Sequence, residues 1–197
     1  MNYYISDLHF GHANVIRYDA RPFKDVDEMN AALIANWNAR VTGEDTVYIL
    51  GDFIWGRDDK GWPNILKALA GNKVLIRGNH DPRQFSRATQ QRFQEITNLK
   101  EIKDSGKHVV LCHYPMPFFR AGSAASCYML YGHVHKTVEY DYLKKLRREV
   151  KANANGYKTP SGNFINVGAM MPWMNYTPRT LDEIIEGDAA AFASEEA

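Results

Sequence analysis

Arg77-Gly78-Asn79-His80-Asp81 follows directly on the apolar run Val74-Leu75-Ile76. A short aliphatic run that stops at glycine reads as a buried strand ending in a tight turn. Beyond the turn stand an amide, an imidazole and a carboxylate on consecutive residues. They suit metal ligation and proton transfer, but also a turn that needs unusual backbone angles. The rest of the chain decides between these readings.

The same arrangement recurs four more times. Tyr3-Tyr4-Ile5 leads into Asp7 and His9, Thr46–Leu50 into Gly51-Asp52, His108–Cys112 into His113, and Tyr128–Tyr131 into Gly132-His133-Val134-His135. Five of the seven histidines follow directly on the ends of these runs. Scattered packing histidines would not gather at strand ends beside Asp and Asn. In open α/β sheets the carboxyl ends of neighbouring strands converge on one crevice, where ligands bind.

Between these runs the pattern is helical. Asn14–Tyr18 predicts a short helix. Asp25-Val26-Asp27-Glu28 reads as a helix start, with Met29, Leu33, Ile34 and Trp37 at helical spacing over 26–40. Further helices are expected over 62–70, 84–95 and 138–151, with strands at 73–77, 99–103 and 164–167. Thr180-Leu181-Asp182-Glu183 opens a closing helix. Strands alternating with helices predict an α/β class or an α+β one. The reading is a single domain over 1–187 with a disordered tail over 188–197, rich in Ala and Glu.

Composition narrows the functional classes. The chain has 197 residues, is 45% hydrophobic and carries a formal net charge of +1. That balance makes no global electrostatic case for nucleic acid or an acidic membrane surface. Cys112 and Cys127 form neither a C-x-x-C metal pair nor a disulfide framework. With no apolar run of membrane-spanning length and no leader-like start, the expectation is a soluble cytoplasmic protein.

Carboxylate, imidazole and amide without thiolate suit borderline to hard divalent ions such as Mn²⁺, Fe, Co²⁺, Ni²⁺ or Zn²⁺, and Mn²⁺ is the first expectation. They do not suit a closed structural zinc site. The ligands outnumber the needs of one ion. Two ions about 3.5–4 Å apart would use them all and clamp an in-line phosphoryl displacement.

The series Asp7-x-His9, Gly51-Asp52, Gly78-Asn79-His80-Asp81, His113 and Gly132-His133-x-His135 resembles the calcineurin-like metallophosphoesterases, in their small bacterial and phage form. The resemblance covers roughly residues 4–168, and includes a segment like Asn166-Val167-Gly168. It implies a four-layer α/β/β/α sandwich with the dimetal site at the strand ends. It further implies that Asp7, His9 and His135 hold one ion, that Asp52 bridges, and that Asn79, His113 and His133 complete the other. A hydroxide between the ions would attack a phosphodiester or phosphomonoester, with His80 beside the scissile phosphate. In the protein-phosphatase branch a later Asp of the second block orients that histidine; Trp55 stands there in this chain. The partner of His80 is then sought in Asp81 or in Asp58 and Asp59.

Substrate contacts are read at His12, Asn14, Arg21, Asn79 and His80. Phe118-Phe119-Arg120 and the pair Trp173 and Tyr176 could stack a base, or simply close the sandwich edge. The basic run Lys144, Lys145, Arg147, Arg148 and Lys151 is a solvated face or a track for an RNA or DNA strand. The expected substrate is small, cyclic or nucleotide-like. The alternatives are a nuclease or RNA-end phosphatase using 144–151, and a non-catalytic protein–protein scaffold on the same fold.

Overall fold

Most of the strands are buried along nearly their whole length, so each sheet must be covered on both faces. The computed structural model describes residues 1–56, 58–153 and 159–194. One sheet runs β1 (Asn2–Ile5), β2 (Thr46–Ile49), β3 (Asn72–Ile76), β4 (Glu95–Thr97), all parallel. The other runs β5 (Leu99–Asp104), β6 (Lys107–Cys112), β7 (Cys127–Tyr131), β8 (Phe164–Asn166); β5 and β6 form an antiparallel hairpin and the rest pair in parallel. The helices are α1 (Ala13–Tyr18), α2 (Val26–Asn38), α3 (Trp62–Ala68), α4 (Arg87–Gln90), α5 (Val138–Ala152) and α6 (Leu181–Ser194).

Successive side chains of a strand face opposite sides. In β1, Tyr3 turns its hydroxyl to the Arg40 carbonyl beyond α2, while Tyr4 donates across to Asp104 of β5 at 2.6 Å. In β6, Val109 and Leu111 join the core shared by the two sheets; Val110 and Cys112 join a second cluster with Leu143 and Leu146 of α5. The result is the expected helix, sheet, sheet, helix stack. Backbone bonds from Ser6 N to Val167 O and from Ala169 N to Ser6 O lash the end of β1 to the end of β8, so the carboxyl ends of both sheets meet.

Two expectations need correction. The helix over 84–95 shrinks to α4, capped by Ser86, and its last residue, Glu95, opens β4. Gln94 N bonds Lys73 O and Arg77 N bonds Thr97 O, so pairing with the open edge of β3 overrides local propensity. The tail is not frayed after Gly187: α6 continues to Ser194, and residues 195–197 lie outside the described residues. Asp188 is 3% exposed and takes a forked ion pair from Arg147 of α5, one arm at 2.7 Å. Removing one partner of a buried pair strands the other charge, at about 3–5 kcal/mol. Asp188→Ala is therefore expected to lose about that much stability in urea unfolding; a loss under about 0.5 kcal/mol, the level of an ordinary surface change, would contradict the docked helix.

Candidate metal centre

The strand-end loops approach one another too closely for side chains at several glycines. A Cβ on Gly78 would overlap the Asp52 carboxylate, and one on Gly132 would overlap Ser6 Oγ and the Asp7 carboxylate. Glycine there lets the loops after β1, β2, β3 and β7 touch. Asp7, His9, Asp52, His133 and His135 all hold left-handed backbone, with φ from 47° to 71°. Non-glycine residues adopt that region at a cost of order 1–3 kcal/mol each, and such strain gathers at functional sites.

With Asn79 and His113, these residues bring seven side chains together. Ligand atoms of Asp7, His9 and His135 lie within 4.8 Å, as do those of Asp7, Asp52 and His113. Asp52 Oδ2 stands between the groups, 3.7 Å from His9 Nε2 and 3.6 Å from His113 Nε2. Asn79 Oδ1 lies 3.0 Å from His113 Nε2 and 2.8 Å from His133 Nδ1. Apart from Asn79 and the partly exposed His133 and His135, these residues are buried.

Without a cation the electrostatics are unfavourable. His9 and His135 present Nε2 to Nε2 at 3.3 Å, and His9 Nδ1 is buried without a partner. Burial pushes the Asp52 carboxyl above its ordinary range, against the pull of His113. Burial, with His135 beside it, drives the His9 imidazole far below its usual range and holds it neutral. A buried, costly carboxylate beside several imidazole nitrogens is a donor set that fits divalent cations.

Outer contacts fix the rings. The Leu50 carbonyl lies 2.7 Å from His113 Nδ1, and Asp19 Oδ1 lies 2.7 Å from His135 Nδ1, leaving each Nε2 toward the centre. Burial lowers the His135 pKa, but Asp19 and Asp7 outweigh it and the net shift is upward. Asp19 is in turn gripped by Arg21 at 2.9 Å. Sequence reading missed Asp19, since nothing marks it off from any other loop carboxylate.

Three expected roles change. Arg21, expected at the substrate, is committed within the fold: its side chain is fully buried and donates to the Leu8 and Asp7 carbonyls as well as to Asp19. It braces the first loop. Asp81 does not orient His80: its carboxylate accepts from Asp52 N, Phe53 N and Gly78 N, and burial pushes it up to about 6. Asp59 accepts from Ser86 and Asp58 from Lys60, so neither holds His80 through those contacts. His80 donates its backbone N–H to Asp52 Oδ1 at 2.9 Å and leaves its ring exposed, 4.9 Å from Trp55. His12 lies under Trp55, ring on ring at 3.7 Å. Of the expected aromatics, Tyr176 is buried and Trp173 bonds the Asn166 carbonyl, while Phe118 and Phe119 line a separate cavity.

Residues 3–173 match the calcineurin-like phosphoesterase family. The chain belongs to that family, and is a metal-dependent phosphoester hydrolase. An uncharacterised protein of Methanocaldococcus jannaschii is 34% identical over 93% of this chain and 89% of its own length. The gene 66 protein of Mycobacterium phage L5 is 33% identical over 57% of this chain and 62% of its own. A crystal structure of a protein of unknown function from Aquifex aeolicus superposes with a TM-score of 0.64 at 28% identity, covering 94% of this chain and 98% of that one. Among the described residues no helix is long and apolar enough to cross a membrane.

Asp19→Asn keeps the shape of the outer contact to His135 but removes its charge. Mn²⁺ affinity, measured calorimetrically, is expected to weaken by about 10–100-fold; unchanged affinity would deny Asp19 a part in the centre.

Proposed function

We propose that the chain hydrolyses a small phosphodiester or phosphomonoester, cyclic or nucleotide-like, with two divalent cations, Mn²⁺ first. Asp7, His9 and His135 would hold one, Asn79, His113 and His133 the other, and Asp52 both. The observation that carries this reading is the position of Asp52 Oδ2, at nearly equal reach of His9 and His113. Bound there, two cations supply a water of lowered pKa and neutralise phosphoryl charge.

The chain's own residues do the rest. Asp7 and Asp52 bring negative charge to a buried place, which a phosphate ester could not approach unless cations offset it. His80 is the exposed imidazole beside the centre, placed to stabilise a phosphoryl oxygen or to pass a proton to the leaving oxygen. Its backbone bond to Asp52 ties its position to the bridging carboxylate.

The nuclease reading has less support. Arg147, the middle residue of the basic run, is spent on Asp188 rather than offered to a strand. Turnover of oligonucleotides that fell steeply between low and moderate salt would restore it.

A metal-reconstituted panel of bis-aryl phosphodiester, aryl phosphomonoester and 2′,3′-cyclic nucleotide tests the proposal. Chelator-sensitive turnover of at least one is expected, with Asp52→Asn reducing it to background and His80→Ala lowering it by about 10²–10⁴-fold. Turnover that survives both substitutions would remove the proposed centre from the reaction.

A further inference from the structure

Beside the His9 and His135 end of the centre lies a cavity of about 380 Å³, walled by His12, Val15, Tyr18 and Trp55 and reaching His80. Two of its aromatics are left open. Trp37 and Trp62 are fully buried, whereas Trp55 is 44% exposed and Tyr18 65% exposed. Large apolar rings left open at a concave site cost burial that folding does not recover, and they mark binding surfaces. Trp55 is also held in place. One face of its ring lies on His12, with 6° between the planes, and its backbone N–H donates to Phe10 O at 2.9 Å. His12 beneath it is 8% exposed, so the stack rests on the core.

Part of the polar lining is already committed. Thr137 Oγ1 is used at the start of α5, donating to Val134 O and accepting from Glu139 N. The Asp19 carboxylate is taken by Arg21 and His135. The exposed Asn14 side chain has no hydrogen bond among the described residues, and an amide offers both donors and an acceptor.

We propose that this cavity receives a planar aromatic substituent of the phosphate ester, a nucleobase or an aryl ring, with Trp55 and Tyr18 as its stacking surfaces and Asn14 reading its edge. The assignment rests on the phosphoesterase reading above and names the substrate class of that site. It puts the substituent next to His80, on the side where a leaving or retained ester oxygen would point.

Dissociation constants of AMP, phenyl phosphate and methyl phosphate for the Mn²⁺-loaded protein, measured by titration calorimetry, test it. AMP or phenyl phosphate is expected to bind about tenfold tighter than methyl phosphate, the range of one stacking contact. Trp55→Ala, and separately Tyr18→Ala, should shrink that ratio, with circular dichroism showing each variant folded. AMP tighter than phenyl phosphate, with the excess lost in Asn14→Ala, identifies a nucleobase; equal affinity identifies an aryl ring. Three equal affinities, or a ratio that survives both aromatic substitutions, would overturn the cavity assignment while leaving the phosphoesterase reading standing. No binding of any phosphate together with no ester turnover would overturn both.

Discussion

The structure depends on a close approach that is electrostatically costly in the absence of positive charge. Loops from both sheets are pressed together at Gly78 and Gly132 until carboxylates and imidazoles stand 3.3–3.7 Å apart in a largely buried place. Desolvation alone would push such groups apart or neutralise them. Left-handed backbone at five of the donors adds local strain on top. A fold that supports both is held together from outside the centre.

That support is visible in named contacts. Arg21 clamps the Asp7 and Leu8 carbonyls and, through Asp19, the His135 ring. Asp81 gathers the Asp52, Phe53 and Gly78 amides onto one carboxylate, fastening the second loop to the third. The bonds between Ser6 and the segment after β8 keep the two sheets in step. Arg21 and Asp81 are buried polar groups with their bonds already made, the arrangement that rigidifies rather than reacts.

Much of this was legible in the sequence, because strand ends carry their signal locally. An apolar run that stops at Gly-Asp or Gly-His needs no distant information, and the donors it names do meet. Arg21 and Asp81 show where such reading fails. They bear the right chemistry in the segments that follow the donors, but a guanidinium or carboxylate is drawn by whichever buried backbone groups lack partners, and only the fold reveals those. Strand β4 was hidden for a related reason: Glu95-Ile96-Thr97 has one apolar residue, and only the free edge of β3 makes it a strand. Trp55 was noticed for the carboxylate it replaces; its platform on His12 could not be read from a separation of 43 positions in the chain.

Native mass spectrometry of the Mn²⁺-saturated chain measures the central claim most directly, since it counts ions without reference to any substrate. The account predicts two ions per chain, with Asp52→Asn losing at least one of them. A stoichiometry of one, or two ions retained after the shared carboxylate is removed, would contradict it.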